Sequence, residues 1–303
     1  NLDDKRSQEE LVAEAVEKAR HADYVVMFGG LNKSDYQDCE GHDRKDYALP
    51  YGQDKLIEAL AKANAKMVYV NISGNAVAMP WRNSVPAIVQ GWYLGSEAGD
   101  ALASVLVGDA NPSGKLPFTW VKSLKQVGAH ALNTYPGVWR KVGGQQTPGN
   151  IIDEDYKEGI YVGYRWTDLK KERPEFAFGH GLSYTTFVLS NLRADKTAMG
   201  RNDSIAFTVN VKNTGAKAGA ETVQLYIHDR KASVDRPVKE LKGFSKVWLE
   251  PGESKDVTIV IDNSALSFYD EAQAQWRSEN GAFEAWVGNA SDNLKLKKAF
   301  ELK

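Results

Sequence analysis

The sequence predicts an α/β domain, with an open and mainly parallel sheet and helices on both of its faces, followed by a β-sandwich of immunoglobulin or fibronectin type III shape. Short apolar runs alternate with helical patterns up to Val107, which is typical of a parallel sheet. From Val188 onward, short runs with apolar residues near every second position recur between turns, which is typical of a sandwich. The predicted boundaries are 1–120 for the α/β domain, 121–185 for an extended linker packed on the domains, and 186–303 for the sandwich.

Three helix and strand units build the predicted α/β domain. Ser7 and Glu10 have the spacing of a capping box and precede apolar residues at helical spacing, which predicts a helix that ends near His21. The apolar run Tyr24–Phe28, stopped by two glycines, predicts a buried strand. The remaining elements are a helix with Leu56, Ile57, Leu60 and Ala61 on one face, a strand Met67–Val70, a strand Ala87–Gln90, and a helix from about Ser96 to Val107.

The second half of the chain has a different pattern. Residues 109–183 are rich in Gly, Pro, Trp and Tyr and show little periodicity, and a stretch of this length without regular elements predicts packing against other parts of the protein. After it, turns such as Glu250-Pro251-Gly252 separate the predicted strands. These strands are Ile205–Val211, Thr222–Ile227, Gly243–Leu249, Val257–Ile261 and Phe283–Val287.

Composition excludes several classes of function. The 303 residues carry a formal net charge of −2 and no long run of Lys or Arg, so the charge pattern of a nucleic-acid-binding protein is missing. No stretch reaches the ~18 consecutive apolar residues of a membrane span. Cys39 is the only cysteine, which excludes a disulfide within the chain. The chain starts without Met and within a helical pattern, so we expect a piece of a longer polypeptide.

The loop after the first strand, Gly29–Pro50, holds the candidate site, and we call it the acidic loop. Ligands of open α/β sheets bind outside the carboxyl ends of the strands, where this loop begins. On composition alone, the alternative is a solvated surface loop without a binding function. A calcium-binding loop is not indicated, because the spacing of the acids does not match its ligand pattern. The acidic loop contains the five acids Asp35, Asp38, Glu40, Asp43 and Asp46, together with His42 and Arg44.

Five ordered segments of the chain have distinctive sequences. The first comprises Phe28–Asn32, Asp38-Cys39-Glu40-Gly41-His42-Asp43-Arg44 and Leu49–Gln53, and the others are Trp92–Gly99, Gly108–Pro117, Tyr156–Arg165 and Phe178–Phe187. Together they resemble the C-terminal part of glycoside hydrolase family 3, a family of exo-acting β-glycosidases. Leu94 stands where that family usually has Pro, and Ala98 where it usually has Gly.

The resemblance implies a retaining enzyme in three parts that needs no cofactor. A barrel holds the Asp nucleophile, an α/β domain lends the acid/base Glu, and a fibronectin type III-like domain follows. A barrel takes ~250 residues, so we expect it in the same polypeptide or another chain and expect this chain alone to be inactive. The implied substrates are the terminal non-reducing β-D-glucosyl residues of oligosaccharides or aryl β-glycosides, with a periplasmic or secreted bacterial location. The alternatives are a β-xylosidase, a non-catalytic carbohydrate-binding or scaffold module, and a nucleotide-binding domain.

The resemblance also assigns roles within the acidic loop. Glu40, three residues before the Asp43-Arg44 pair, is the expected general acid/base, and many family members instead place this Glu directly after the first strand, at Gly30 here. Asp38 and His42 are expected to bind substrate. Asp43 and Arg44 are expected to support the loop, paired with each other or with its backbone. No metal ligand is expected, and Cys39 is expected to be inert because no distinctive Cys/His arrangement accompanies it.

Overall fold

The computed structural model of this chain describes residues 4–146 and 151–303. The chain divides into two compact units, Asn1–Ser104 and Val105–Lys303. The first unit contains a parallel sheet with helices, and the second contains two mainly antiparallel sheets. The predicted fold class is therefore confirmed. Within the described ranges, none of the helices combines the length and the hydropathy that crossing a bilayer requires.

The first unit is built on a three-stranded parallel sheet. Its elements are α1 Gln8–His21, β1 Val25–Gly30, a 3₁₀ turn Pro50–Gly52, α2 Gln53–Ala63, β2 Met67–Ile72, β3 Ala87–Gln90 and α3 Ala98–Val107, which crosses the unit boundary. The central strand β2 pairs with both β1 and β3. The predicted capping box is present, because Ser7 Oγ accepts from the Glu10 N–H at 3.1 Å and the Glu10 carboxylate accepts from the Ser7 N–H at 2.7 Å.

The core of the first unit lies between α2 and the central strand β2. Ile57 of α2 and Tyr69 of β2 are fully buried. The Tyr69 ring meets Trp81 edge-on with 4.8 Å between centroids, and Trp81 Nε1 donates to Asp54 Oδ1 at 2.6 Å. Burial of side chains of this size contributes roughly 1.5–3 kcal/mol each. The cluster therefore fixes α2, and with it the end of the acidic loop that leads into α2.

Strand β1 lies at the edge of its sheet, so the prediction of a buried strand is wrong. Among the described residues it pairs only with β2. Its side chains Val26 and Phe28 are 45% and 57% exposed. A continuous apolar run is typical of a parallel strand that is covered on both faces, but the pattern does not report which faces a given chain covers.

The segment between the two predicted domains contains short regular elements and belongs to the second unit. Arg165 of this segment pairs with Glu240 of the sandwich at 3.1 Å, and just before the segment Lys115 forms an ion pair with Glu221 of the sandwich at 2.7 Å, both side chains being largely buried. These contacts join the segment to the sandwich strands. Its elements are a 3₁₀ turn Leu124–Gln126, α4 Gly128–Ala131, β4 Val138–Trp139, β5 Lys141–Val142, β6 Gln145–Gln146, β7 Ile152–Asp153 and α5 Tyr164–Lys170.

Two sheets form the sandwich of the second unit. The first has the order β13-β10-β8 and the second β12-β11-β16-β17-β9, and β14 and β15 form a separate hairpin. All five strands predicted here fall within observed strands. The strands are β8 Phe187–Ala194, β9 Ala198–Met199, β10 Ser204–Asn213, β11 Gly219–Asp229, β12 Glu240–Leu249, β13 Ser254–Asp262, β14 Phe268–Asp270, β15 Gln275–Arg277, β16 Gly281–Gly288 and β17 Leu296–Leu302.

Aromatic rings join the two sheets of the sandwich. Phe207 of β10 meets Phe300 of β17 edge-on at 5.3 Å between centroids, and Phe300 stacks on Phe283 of β16 at 5.7 Å. All three rings are buried in one apolar cluster. Alternate residues of β10 contribute to it, which is the pattern of a strand with one face on the core.

Candidate active-site loop

The acidic loop leaves β1 at a position that accepts only glycine. Gly30 has φ +129°, and a Cβ atom built there would lie 2.0 Å from the backbone oxygen of Ile72 on β2. Gln53 closes the other end of the loop, since its Nε2 donates to Gly30 O at 2.9 Å and its Oε1 accepts from Gly30 N–H at 2.8 Å. Many members of glycoside hydrolase family 3 are expected to carry the acid at this position. A side chain at Gly30 would meet the Ile72 backbone, and the resulting shift of Gly30 would break its two hydrogen bonds with Gln53.

Replacing Gly30 with Ala is expected to lower the free energy of unfolding by at least ~2 kcal/mol, because the new methyl group meets a backbone atom and the residue must keep a positive φ. The matched control is Gly99→Ala in α3, where a Cβ meets nothing within 4 Å and φ is not positive. This control is expected to change stability by less than ~1 kcal/mol. Urea unfolding followed by circular dichroism measures both, and equal stability of the two variants would contradict this account of the loop.

Asp38 ties the acidic loop to the loops that follow the other two strands. Its Oδ2 accepts from the Gly74 N–H at 2.6 Å and from the Tyr93 hydroxyl at 2.9 Å, and its Oδ1 accepts from Asn75 Nδ2 at 2.9 Å. Burial and the neighbouring Asp38 carboxylate raise the pKa of Tyr93 to about 12, which keeps its hydroxyl a donor at neutral pH. Both oxygens of Asp38 are thus engaged by the protein itself.

Glu40 lies two residues further along the loop and is exposed. Across residues 4–146 and 151–303, no hydrogen bond or ion pair engages its carboxylate. The two carboxylates predicted for the site therefore differ in kind: Asp38 is held by three donors, and Glu40 is available to a molecule outside the chain.

Arg44 joins the acidic loop to the loop after β2 by a second contact. Its Nη2 donates to the backbone oxygen of Ala76 at 2.6 Å, and its guanidinium lies 5.8 Å from the centroid of the Tyr47 ring. Burial lowers the pKa of Arg44, while the charge of Asp38 opposes that shift. Asp43, the other residue predicted to support the loop, is exposed.

His42 is more than half exposed and lies near three residues of its own loop. Its ring centroid is 5.2 Å from that of Tyr36, and its Nδ1 is 3.7 Å from Asp35 Oδ1. Cys39 Sγ lies 3.4 Å from the His42 backbone oxygen. The structure thus brings together Asp35, Cys39 and His42, a grouping that the sequence interpretation did not predict.

The sequence interpretation also missed the residues that hold the loop in place. Asn75 follows β2, and Tyr93 follows β3. Hydrogen bonds link the ends of these two strands, because Asn71 Nδ2 donates to Ser73 Oγ at 2.8 Å and to Gln90 Oε1 at 2.6 Å. The rule that parallel strands present their carboxyl ends at one edge would have pointed to these loops.

Comparison with known families matches two successive parts of the chain. The model described as the glycosyl hydrolase family 3 C-terminal domain matches residues 2–164. The model of a fibronectin type III-like domain matches residues 221–291. The chain therefore belongs to glycoside hydrolase family 3.

Individual relatives carry β-glucosidase names. A β-glucosidase of Bacteroides ovatus is 49% identical over 95% of this chain, which covers 37% of that protein. The thermostable β-glucosidase B of Acetivibrio thermocellus is 42% identical over 96% of this chain, which covers 36% of that protein. The chain thus spans little more than a third of the curated relatives that it matches.

Solved structures agree with this placement. The crystal structure of a β-glucosidase from Kluyveromyces marxianus in complex with glucose matches 98% of this chain with a TM-score of 0.84 and 39% identity, and the match covers 34% of that chain. A β-glucosidase of the same family from Bifidobacterium adolescentis matches 100% of this chain with a TM-score of 0.86 and 35% identity, covering 42% of that chain.

Proposed function

We propose that this chain supplies the acid/base carboxylate, Glu40, of a retaining exo-β-glycosidase that removes terminal non-reducing β-D-glucosyl residues. The observation that carries the proposal is the contrast between the two carboxylates of the acidic loop. Asp38 is held by three donors of the protein, whereas Glu40 is exposed and available at the edge where ligands of α/β sheets bind. The β-glucosidase names of the relatives support the substrate class.

In this proposal Glu40 acts twice in each turnover. Its protonated carboxyl first gives a proton to the glycosidic oxygen while a second carboxylate attacks the anomeric carbon and forms a glycosyl-enzyme. The leaving group departs as an alcohol. The Glu40 carboxylate then takes a proton from a water molecule whose oxygen attacks the anomeric carbon. The bond to the second carboxylate breaks, the sugar is released and the acid is regenerated. The second carboxylate must lie ~5 Å from the first, and we assign it to the barrel that the family resemblance implies.

The neighbours of Glu40 hold the backbone of the acidic loop in place for acid/base catalysis. Asp38 and Arg44 join the acidic loop to the loop after β2, so the backbone that carries Glu40 is held from both sides. Asp38 would contact the sugar only by exchanging one of its present donors for a sugar hydroxyl. His42 has an exposed ring, and its Nε2 can hydrogen-bond to a substrate hydroxyl.

The sugar preference is tested on the protein that contains this chain together with the rest of its polypeptide. We expect release of glucose from an aryl β-glucoside with a kcat/KM clearly above that for the matching aryl β-xyloside, because all of the curated relatives named above are β-glucosidases. The two substrates differ only in the hydroxymethyl group at C5. A preference for the xyloside would contradict the proposed substrate and leave the role of Glu40 to its own test.

A further inference from the structure

Three side chains of different chemistry converge within the acidic loop. The ligand atoms of Asp35, Cys39 and His42 all lie within 4.8 Å of one another. His42 Nδ1 lies 3.7 Å from Asp35 Oδ1, which is longer than a hydrogen bond. A carboxylate oxygen, a thiol sulfur and an imidazole nitrogen thus lie close together.

We propose that Asp35, Cys39 and His42 form a binding site for Zn²⁺. Thiolate, imidazole and carboxylate are the three ligand types that zinc takes in proteins, and the soft sulfur selects against Mg²⁺ and Ca²⁺. On a tetrahedral zinc with bonds of about 2.0–2.3 Å, ligand atoms lie roughly 3.5 Å apart. No separation among the three ligand atoms exceeds 4.8 Å, so movements of roughly 1 Å bring the side chains to that spacing, and water occupies the fourth position.

The surroundings of the three ligands favour a bound cation. The acidic loop carries Asp35, Asp38, Glu40, Asp43 and Asp46, an excess of negative charge over its basic residues. The Tyr36 ring packs beside His42 with 5.2 Å between centroids, and Lys45 Nζ lies 3.7 Å from the centroid of the Tyr36 ring. When zinc binds, the sulfur–zinc bond replaces the thiol S–H bond and the proton goes to solvent.

The position of the site within the loop gives it a consequence for Glu40, a step that rests on the proposed function. Cys39 directly precedes Glu40, and His42 follows it by two residues. A metal that joins these two side chains fixes the short backbone stretch between them. Zinc therefore restrains the residue to which we assign acid/base catalysis, without any contact between the metal and the Glu40 carboxylate.

Alkylation of Cys39 tests the site without reference to catalysis. Cys39 is the only thiol of the chain, so iodoacetamide modification reports on it alone. Excess Zn²⁺ is expected to slow its alkylation strongly, and His42→Ala and Asp35→Asn are each expected to weaken the zinc affinity at least ~10-fold. The matched control is His21→Ala, which removes another exposed imidazole of the same unit and should leave the protection unchanged.

Two outcomes would overturn the proposal. The first is unchanged alkylation in the presence of Zn²⁺. The second is equal zinc protection in the parent chain and in both ligand variants, which would mean that the thiolate binds the metal without the imidazole and the carboxylate. Hydrogen exchange of residues 35–44 supplies the second measurement: zinc should slow it in the parent chain and in His21→Ala, but not in His42→Ala.

Discussion

The purified 303-residue chain is expected to release no product from an aryl β-glucoside above the rate in buffer. A retaining glycosidase needs two carboxyl groups about 5 Å apart, one to attack the anomeric carbon and one to protonate the leaving oxygen. In the proposed function the acidic loop supplies Glu40 for the second task only, and Asp38 is engaged by Gly74, Asn75 and Tyr93. Without a facing nucleophile, a proton donor alone gives no covalent intermediate.

The control for this prediction is the same sequence joined to the remainder of its polypeptide. That longer protein should hydrolyse the aryl β-glucoside under identical conditions, while the chain alone stays at the buffer rate. Folding of the chain is checked by circular dichroism. Turnover by the folded chain at a rate typical of enzymes would mean that both catalytic carboxylates lie within these 303 residues. The proposal that the nucleophile lies in a separate barrel would then be wrong.

Replacing Glu40 with Gln in the complete enzyme is expected to cost ~100-fold or more in rate on substrates with poor leaving groups. The amide keeps the size of the side chain but cannot donate a proton to the leaving oxygen, and general-acid catalysis contributes a factor of this size. Activated aryl glycosides need less protonation, so their glycosylation step should slow much less. The comparison of kcat/KM between an alkyl and a nitrophenyl glucoside measures the difference.

A control variant separates loss of the acid from loss of charge. Glu58→Gln removes an exposed carboxylate on α2 of the same unit and should leave both rates unchanged. A Glu40→Gln variant that slowed both classes of substrate equally would point to a structural defect in the loop instead of a missing proton donor.

The regular elements were predictable because their signals are local. The capping box of Ser7 and Glu10 and the alternation in β10 each depend on a few neighbouring residues, and both were found where the sequence placed them. The edge position of β1 was not predictable, since exposure of Val26 and Phe28 depends on which elements cover them in space. Apolar patterning reports that a face can be buried and does not report the partner.

Only part of the candidate site was predictable, because sequence patterns do not report which distant residues meet in space. The family resemblance located the acidic loop and named Glu40 and Asp38. The donors to Asp38 come from Gly74, Asn75 and Tyr93, which lie 36 to 55 residues away, and no local pattern links them to the loop. Register between the parallel strands brings them together. The grouping of Asp35, Cys39 and His42 depends on the path of the loop itself, which has no repeating pattern to reveal it.

Azide rescue tests the assignment of Glu40 most directly. With an activated aryl glucoside, Glu40→Gln should form the glycosyl-enzyme and then stall, because no base activates water. Azide needs no base, so it should restore part of the rate and yield a glycosyl azide. Asp38→Asn should show the smaller loss and no rescue, since Asp38 holds the loop. If Asp38→Asn shows the larger, azide-rescued loss and Glu40→Gln is nearly silent, Glu40 is not the acid/base.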